Sequence, residues 1–80
     1  MIFENIMKLY YYYDKEADVA YLSQGKPSAK DVVQETSDDV VLRVDPKTHT
    51  VRGFSILNFS KRTGANTPTP LPINAVLTPA

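Results

Sequence analysis

Tyr10-Tyr11-Tyr12-Tyr13-Asp14-Lys15-Glu16-Ala17-Asp18-Val19-Ala20-Tyr21-Leu22 decides the fold of this chain. Tyrosine and valine favour strands, because their bulky or branched side chains fit a pleated, half-covered surface. Between the two apolar runs lies a short polar connection, and its Asp side chains can bond back to nearby amides and hold a turn. The stretch therefore reads as an antiparallel hairpin, with strands over Lys8 to Tyr13 and about Val19 to Ser23. Side chains alternate along a strand, so Leu9, Tyr11 and Tyr13 share one face and Tyr10 and Tyr12 the other. Both faces carry apolar surface. Either one face meets the core and the other a helix, a tail or a second subunit, or the tyrosines pair across the sheet with their hydroxyls in water.

Outward from the hairpin, Gln24-Gly25-Lys26-Pro27-Ser28 ends the second strand, since proline removes a donor and restricts the residue before it. Ala29 to Thr36 is a modest strand in a charged context, suited to an edge that Lys30, Asp31 and Glu35 protect. After the Ser37-Asp38-Asp39 turn, Val40, Leu42 and Val44 alternate with Val41, Arg43 and Asp45 as a half-buried strand. Pro46 opens the next turn. Thr50 to Leu57 is the last clear strand, and Gly53 marks a bulge or a close approach of another backbone or a ring. Asn58 to Arg62 is expected to make a helical turn or two, capped by Asn58 or Ser60 and stopped by Gly64. The expected core is Leu9, Tyr11, Val19, Tyr21, Val40, Leu42, Val44, Phe54 and Ile56.

These elements place the chain in the α+β class, mainly antiparallel β. The expected form is a four- or five-stranded meander with a short helix after the last clear strand and an extended Pro-rich C-terminal segment. Short connections favour antiparallel neighbours. Residues 1–8 read as an N-terminal arm, 9–62 as one small sheet domain and 63–80 as a Pro/Thr-rich connector and docking tail. The first seven residues are a frayed arm or lead into the first strand. Leu71, Ile73, Val76 and Leu77 follow the prolines, so Pro72 to Thr78 is expected to dock as an edge strand or across a neighbouring subunit.

The order of residues from Tyr13 through Asp14, Glu16, Ala17 and Asp18 to Tyr21 resembles the opening of a small bacterial family catalogued as domain of unknown function 2283. The likeness runs over about residues 9–62. Val40-Val41-Leu42-Arg43-Val44-Asp45 is similar to that family's valine-rich strand, and Gly53-Phe54-Ser55-Ile56-Leu57 to its closing Gly-apolar-Glu-Ile-Leu run. Ser55 stands where the family usually has glutamate, so any function of that glutamate is lost or altered here. The family has no established activity. The resemblance implies a small sheet domain, and the toxin-like neighbours of some members imply an antitoxin-like partner of a small toxin as an alternative role.

Composition narrows the function classes. The 80 residues hold nine basic and nine acidic side chains, one histidine and no cysteine. A zero net charge supplies no field to gather phosphates, which excludes nucleic-acid binding as a main role. Tyr10 and Tyr12 lack the basic surround of a base-stacking platform. No apolar run is long enough to cross a bilayer, and Met1 to Met7 lacks the basic start of a signal peptide, so the expectation is a cytoplasmic protein with no membrane partner. The absence of cysteine removes disulfides and zinc thiolates and fits a reducing compartment.

Asp14, Glu16 and Asp18 are the candidates for a weak metal-binding or enzymatic site, since alternate turn residues can converge. They lack the glycine and further ligands of a calcium loop, so a capped, solvated turn is favoured. Asp38-Asp39 reads likewise as a charged turn. His49, flanked by threonines after a proline turn, reads as exposed. Ser23, Ser55 and Ser60 have no identifiable base, and no nucleophile or phosphate-binding motif is present. The sequence therefore reads as non-enzymatic, with no cofactor. A domain this small buries only about 60% of its unfolded surface, so the expected partner is a second copy of itself, with a small protein partner as the alternative. The expected interface is Tyr10 and Tyr12 on the sheet with Leu71, Ile73, Val76 and Leu77 in the tail.

Overall fold

A computed structural model describes residues 7–62 and 68–80. Within them the chain forms β1 (Leu9–Asp14), β2 (Val19–Gln24), β3 (Val32–Glu35), β4 (Val40–Val44), β5 (Val51–Leu57) and a single-turn helix α1 (Phe59–Arg62). The strands join in one antiparallel sheet in the order β1-β2-β5-β4-β3. Each strand lies where aromatic and β-branched residues cluster, and each hairpin turn falls on a polar connection that contains Asp.

The order corrects the simple meander. β1–β2 is one hairpin and β3–β4–β5 a three-stranded meander, but β5 pairs with β2, so the chain between β2 and β3 passes to the far edge of the sheet. This arrangement buries β5, the longest strand, between two partners, and leaves β3 and β1 as the edges. The edge position expected for the Ala29–Thr36 strand is the one observed.

Register fixes the two faces, because residues opposite each other point the same way. On the inner face Tyr11, Leu22, Phe54, Leu42 and Gln34 form one row, and Tyr13, Ala20, Ile56 and Val40 the next. Val40 at 1% exposed and Leu42 at 6% are the best-covered apolar residues, with Ala20 buried beside them. The outer face carries Tyr10, Ser23, Gly53, Arg43 and Val33 in one row, and Tyr12, Tyr21, Ser55, Val41 and Glu35 in the next.

The expected core needs two corrections. The phase of β2 is the reverse of the expected one. Ala20 and Leu22 face the inner side with Tyr11 and Phe54, whereas Tyr21 lies on the outer face, stacked on Tyr12 at 6.1 Å between ring centroids. Val19 is buried, but on the outer face opposite Leu57. The second correction is burial: Leu9 and Tyr11 lie on an edge strand and are exposed, Tyr11 to 86%. Val40, Leu42, Phe54 and Ile56 face each other across β4 and β5 as expected, but of the expected core Val44, Phe54 and Ile56 are only half-buried.

Gly53 serves both expected purposes. The β4–β5 register shifts beside it, pairing Arg43 with Gly53 and Val44 with Val51, so Arg52 is the extra, bulged residue. A Cβ on Gly53 would lie 2.7 Å from the Leu22 carbonyl oxygen, closer than any side chain tolerates. The bulged Arg52 turns this irregularity to use. Its guanidinium donates to the Lys26 carbonyl at 3.2 Å, and its Nε lies 3.2 Å from Asp31 Oδ1, so both ends of the β2–β3 crossing are tied to β5. Asp31 is thus drawn inward, its side chain 4% exposed, rather than standing guard on the edge.

The expected N-terminal arm falls largely on residues 1–6, and the start of the connector, with Gly64, on 63–67; both lie outside the described residues. Residues 68–80 form neither helix nor strand, which corrects the edge strand, one of the two forms of docking expected over Pro72 to Thr78. Leu71 and Ile73 are half-buried, while Val76 and Leu77 are exposed, Val76 to 94%. No helix among the described residues is long and apolar enough to cross a membrane.

Candidate interaction surface and the capped end of the sheet

Three connections meet at one end of the sheet: the β1–β2 turn, the β3–β4 turn and the β5–α1 junction. Asp14 opens the first. Its Oδ1 accepts from the amides of Glu16 and Ala17, both at 3.1 Å, which closes the turn. Asp18 ends it with φ 57, a left-handed conformation that Asp tolerates better than most residues. This backbone conformation leaves the Asp18 carboxylate free to reach across the sheet end. It accepts the Tyr13 hydroxyl at 2.6 Å, the Ser60 amide at 3.0 Å and the Ser60 hydroxyl at 2.8 Å.

Asp18 therefore caps α1 from 42 positions away in sequence. Its carbonyl also accepts the Phe59 amide at 3.0 Å, and the Phe59 ring packs on Tyr13 at 5.7 Å. The cap expected from Asn58 or Ser60 is corrected accordingly. Asn58, at φ 52, turns its amide toward Asp39 Oδ2 at 3.4 Å, and Ser60 gives its hydroxyl to Asp18. The β3–β4 turn is tied in by the Leu57 amide on the Asp39 carbonyl at 2.8 Å and by Arg62, which donates to the Asp38 carbonyl.

These bonds set the electrostatics. The Tyr13 hydroxyl, then the Ser60 amide and hydroxyl, hold the Asp18 carboxyl below the usual carboxylate range. The same bond to Asp18 raises the Tyr13 phenol above its ordinary value. At the far end of the sheet the amides of Lys47 and Thr48 hold Asp45 low in the same way.

For the expected metal candidates, the geometry divides the three residues. Asp14 serves its own turn, Asp18 holds Tyr13 and α1, and exposed Glu16 bonds through its backbone amide. Among the described residues no group of three His, Asp or Glu side chains is placed to hold a metal ion. His49 is exposed with φ 62, at the opposite end of the sheet from Glu16. Ser55 stands half-buried between Tyr21 and Val41 on the outer face. A shallow cleft of about 230 Å³ lies at the far end, lined by Met7, Gln24, Thr48 and Arg52 among others.

The expected interface residues differ in exposure. Tyr10 and Tyr12 are exposed on the outer face of β1, while Leu71 and Ile73 are half-buried and Val76 and Leu77 stand in solvent. The feature missing from that expectation is the rest of β1. Every residue from Leu9 to Tyr13 is exposed, so the strand is apolar on both faces and along its open edge. The run of tyrosines held that signal, but edge placement was needed to expose it. The Asp18–Ser60 cap had no local signal at all.

No curated protein and no solved structure matches the chain. The family model described as "Protein of unknown function (DUF2283)" matches residues 11–60. The matched span contains four of the five strands whole and most of β1, and it closes on Ser60, the residue that Asp18 holds. The chain belongs to that family.

Proposed function

We propose that this protein is a non-enzymatic module that works by self-association, as a homodimer, through β1. One observation carries the reading: the edge strand exposes Leu9, Tyr10, Tyr11, Tyr12 and Tyr13 consecutively, with no charge or proline among them. Natural edge strands are usually guarded by such residues, and tyrosine is enriched where surfaces meet. The carboxylates of Asp14 and Asp18 are engaged by protein donors, which supports a structural rather than a catalytic turn. Exposed Val76 and Leu77 are the competing surface in the tail, and a small toxin-like protein is the competing occupant of β1.

Sedimentation across a concentration series tests this. The expected result is a dimer in the micromolar range that persists when the chain is ended at Pro70. A monomer at all these concentrations rejects self-association. A dimer lost on that truncation moves the interface to the tail.

A further inference from the structure

Resting on the homodimer reading, we infer that two copies join β1 to β1 antiparallel about a two-fold axis at Tyr11, making one continuous ten-stranded sheet. The backbone sets which groups are available. The Gly25 amide donates to the Lys8 carbonyl at 2.8 Å, and continuing the β1–β2 register one residue beyond Leu9↔Gln24 sets Lys8 opposite Gly25. Inward and outward groups alternate along an antiparallel strand. Lys8, Tyr10, Tyr12 and Asp14 therefore bond toward β2, and the amides and carbonyls of Leu9, Tyr11 and Tyr13 face outward from the sheet. Those outward groups are the ones a second strand takes up.

Symmetry and charge then choose the register. A two-fold axis normal to the sheet keeps each copy's inner face on the same side, so the residue on the axis pairs with itself. Centring on Tyr11 uses all three outward residues of each copy: Tyr11 opposite Tyr11, and Leu9 opposite Tyr13 twice. The same register sets Lys8 of one copy opposite Asp14 of the other, at both ends of the strand. Tyr10 falls opposite Tyr12 on the outer face, beside the existing Tyr12–Tyr21 stack. Aromatic and opposite-charge pairs across strands are the stabilising ones. Shifting the axis to Tyr10 or Tyr12 loses the Lys8–Asp14 match. The other edge fits less well: β3 has four residues, ends in Glu35 and is preceded by the engaged Asp31. Self-complementarity of charge and outward backbone is what points to a second copy as the occupant, rather than to an unrelated strand.

The chain has no cysteine, so single cysteines report the register cleanly. Opposed residues on antiparallel strands stand within disulfide reach, about 5.5 Å between Cα atoms, whereas a residue two positions off does not face its own copy. Tyr11→Cys is expected to form a disulfide-linked dimer on mild oxidation, and Tyr10→Cys and Tyr12→Cys to do so far more slowly. Independently, Tyr11→Pro removes an outward amide while leaving the bonds to β2, so the melting curve stays cooperative. Losing the two bonds across the axis should weaken dimerisation roughly thirtyfold. A wild-type monomer overturns both this pairing and the homodimer reading. A wild-type dimer with equal cross-linking at positions 10, 11 and 12, or with unchanged affinity in a folded Tyr11→Pro variant, overturns the pairing and leaves the homodimer standing.

Discussion

At one end of the sheet the carboxylate of half-buried Asp18 gathers a phenol, an amide and a hydroxyl and holds α1 in place. At the other end a guanidinium, Arg52, reaches the carbonyl of Lys26 and the carboxylate of Asp31 and holds the β2–β3 crossing. The two ends also carry turns of one design. Asp14 and Asp45 each accept the amides two and three residues on, and each turn ends four residues later in a left-handed residue, Asp18 or His49. In the first turn the left-handed residue is recruited as a cap. In the second, the His49 side chain makes no hydrogen bond among the described residues. The Asx bonds close each hairpin, and the left-handed residue is where the rest of the chain can be attached.

The largest expected effect lies at the Arg52 end. Asp31 is almost covered, and the N–H of Arg52 Nε lies close to it without being aimed as a hydrogen bond. The pair therefore acts chiefly by charge, and removing the cation leaves a covered carboxylate with the Ser28 amide, 3.3 Å from Oδ2, as its remaining partner. Arg52→Ala is expected to cost about 3 kcal/mol in a denaturant titration. A loss under ~0.5 kcal/mol, the scale of an exposed pair, would mean that the crossing is held by something else.

A smaller effect, but with a distinct pH signature, is expected at the Asp18 end. Asp18→Ala should lower the melting midpoint less than Arg52→Ala and should free the Ser60 amide to exchange. The folded Asp18 carboxyl titrates below its unfolded value, so its stabilisation is present above that value and is lost as pH falls through the lower, folded one. Tyr13 has the opposite sign: its phenol is raised, so its share is intact below about its ordinary 10.0 and disappears as pH rises through the folded value. Asp18→Asn should flatten the acid limb of the stability profile, with the part due to Asp45 left in place. Tyr13→Phe should remove its share of the alkaline limb. Unchanged limbs in both variants would show that the cluster contributes nothing to folding.

The strands were legible because their residues speak locally: valine and tyrosine runs broken by Asp, Gly and Pro. The strand order was not, because β5 chooses between neighbours through long-range pairing that no window of sequence contains. Phase in β2 failed for a related reason. Val19-Ala20-Tyr21-Leu22 is apolar at every position, so alternation alone cannot say which pair faces inward. The register with Phe54 and Ile56 decides it. The candidate site was half legible. The Asp-rich turn was visible as a turn, but that Asp18 would hold Ser60 depends on α1 folding back across the end of the sheet.

The smallest expected effect is the sharpest test of the two-turn comparison. His49 and Asp18 share a backbone conformation that costs an L-residue roughly 1–2 kcal/mol and costs glycine almost nothing. Glycine gives back about 0.5–1 kcal/mol through its freer unfolded chain. His49 has no side-chain bond to lose, so His49→Gly should stabilise the fold by about 0.5 kcal/mol. Asp18→Gly relaxes the same strain but deletes the acceptor of Tyr13 and Ser60, so it should destabilise. The sign of the difference carries the argument, and paired chemical-denaturation curves at neutral pH read it directly. If both glycine variants stabilise, the Asp18 carboxylate is a decoration on an ordinary turn. If both destabilise, the left-handed residue at position 49 has a role that its backbone alone does not explain.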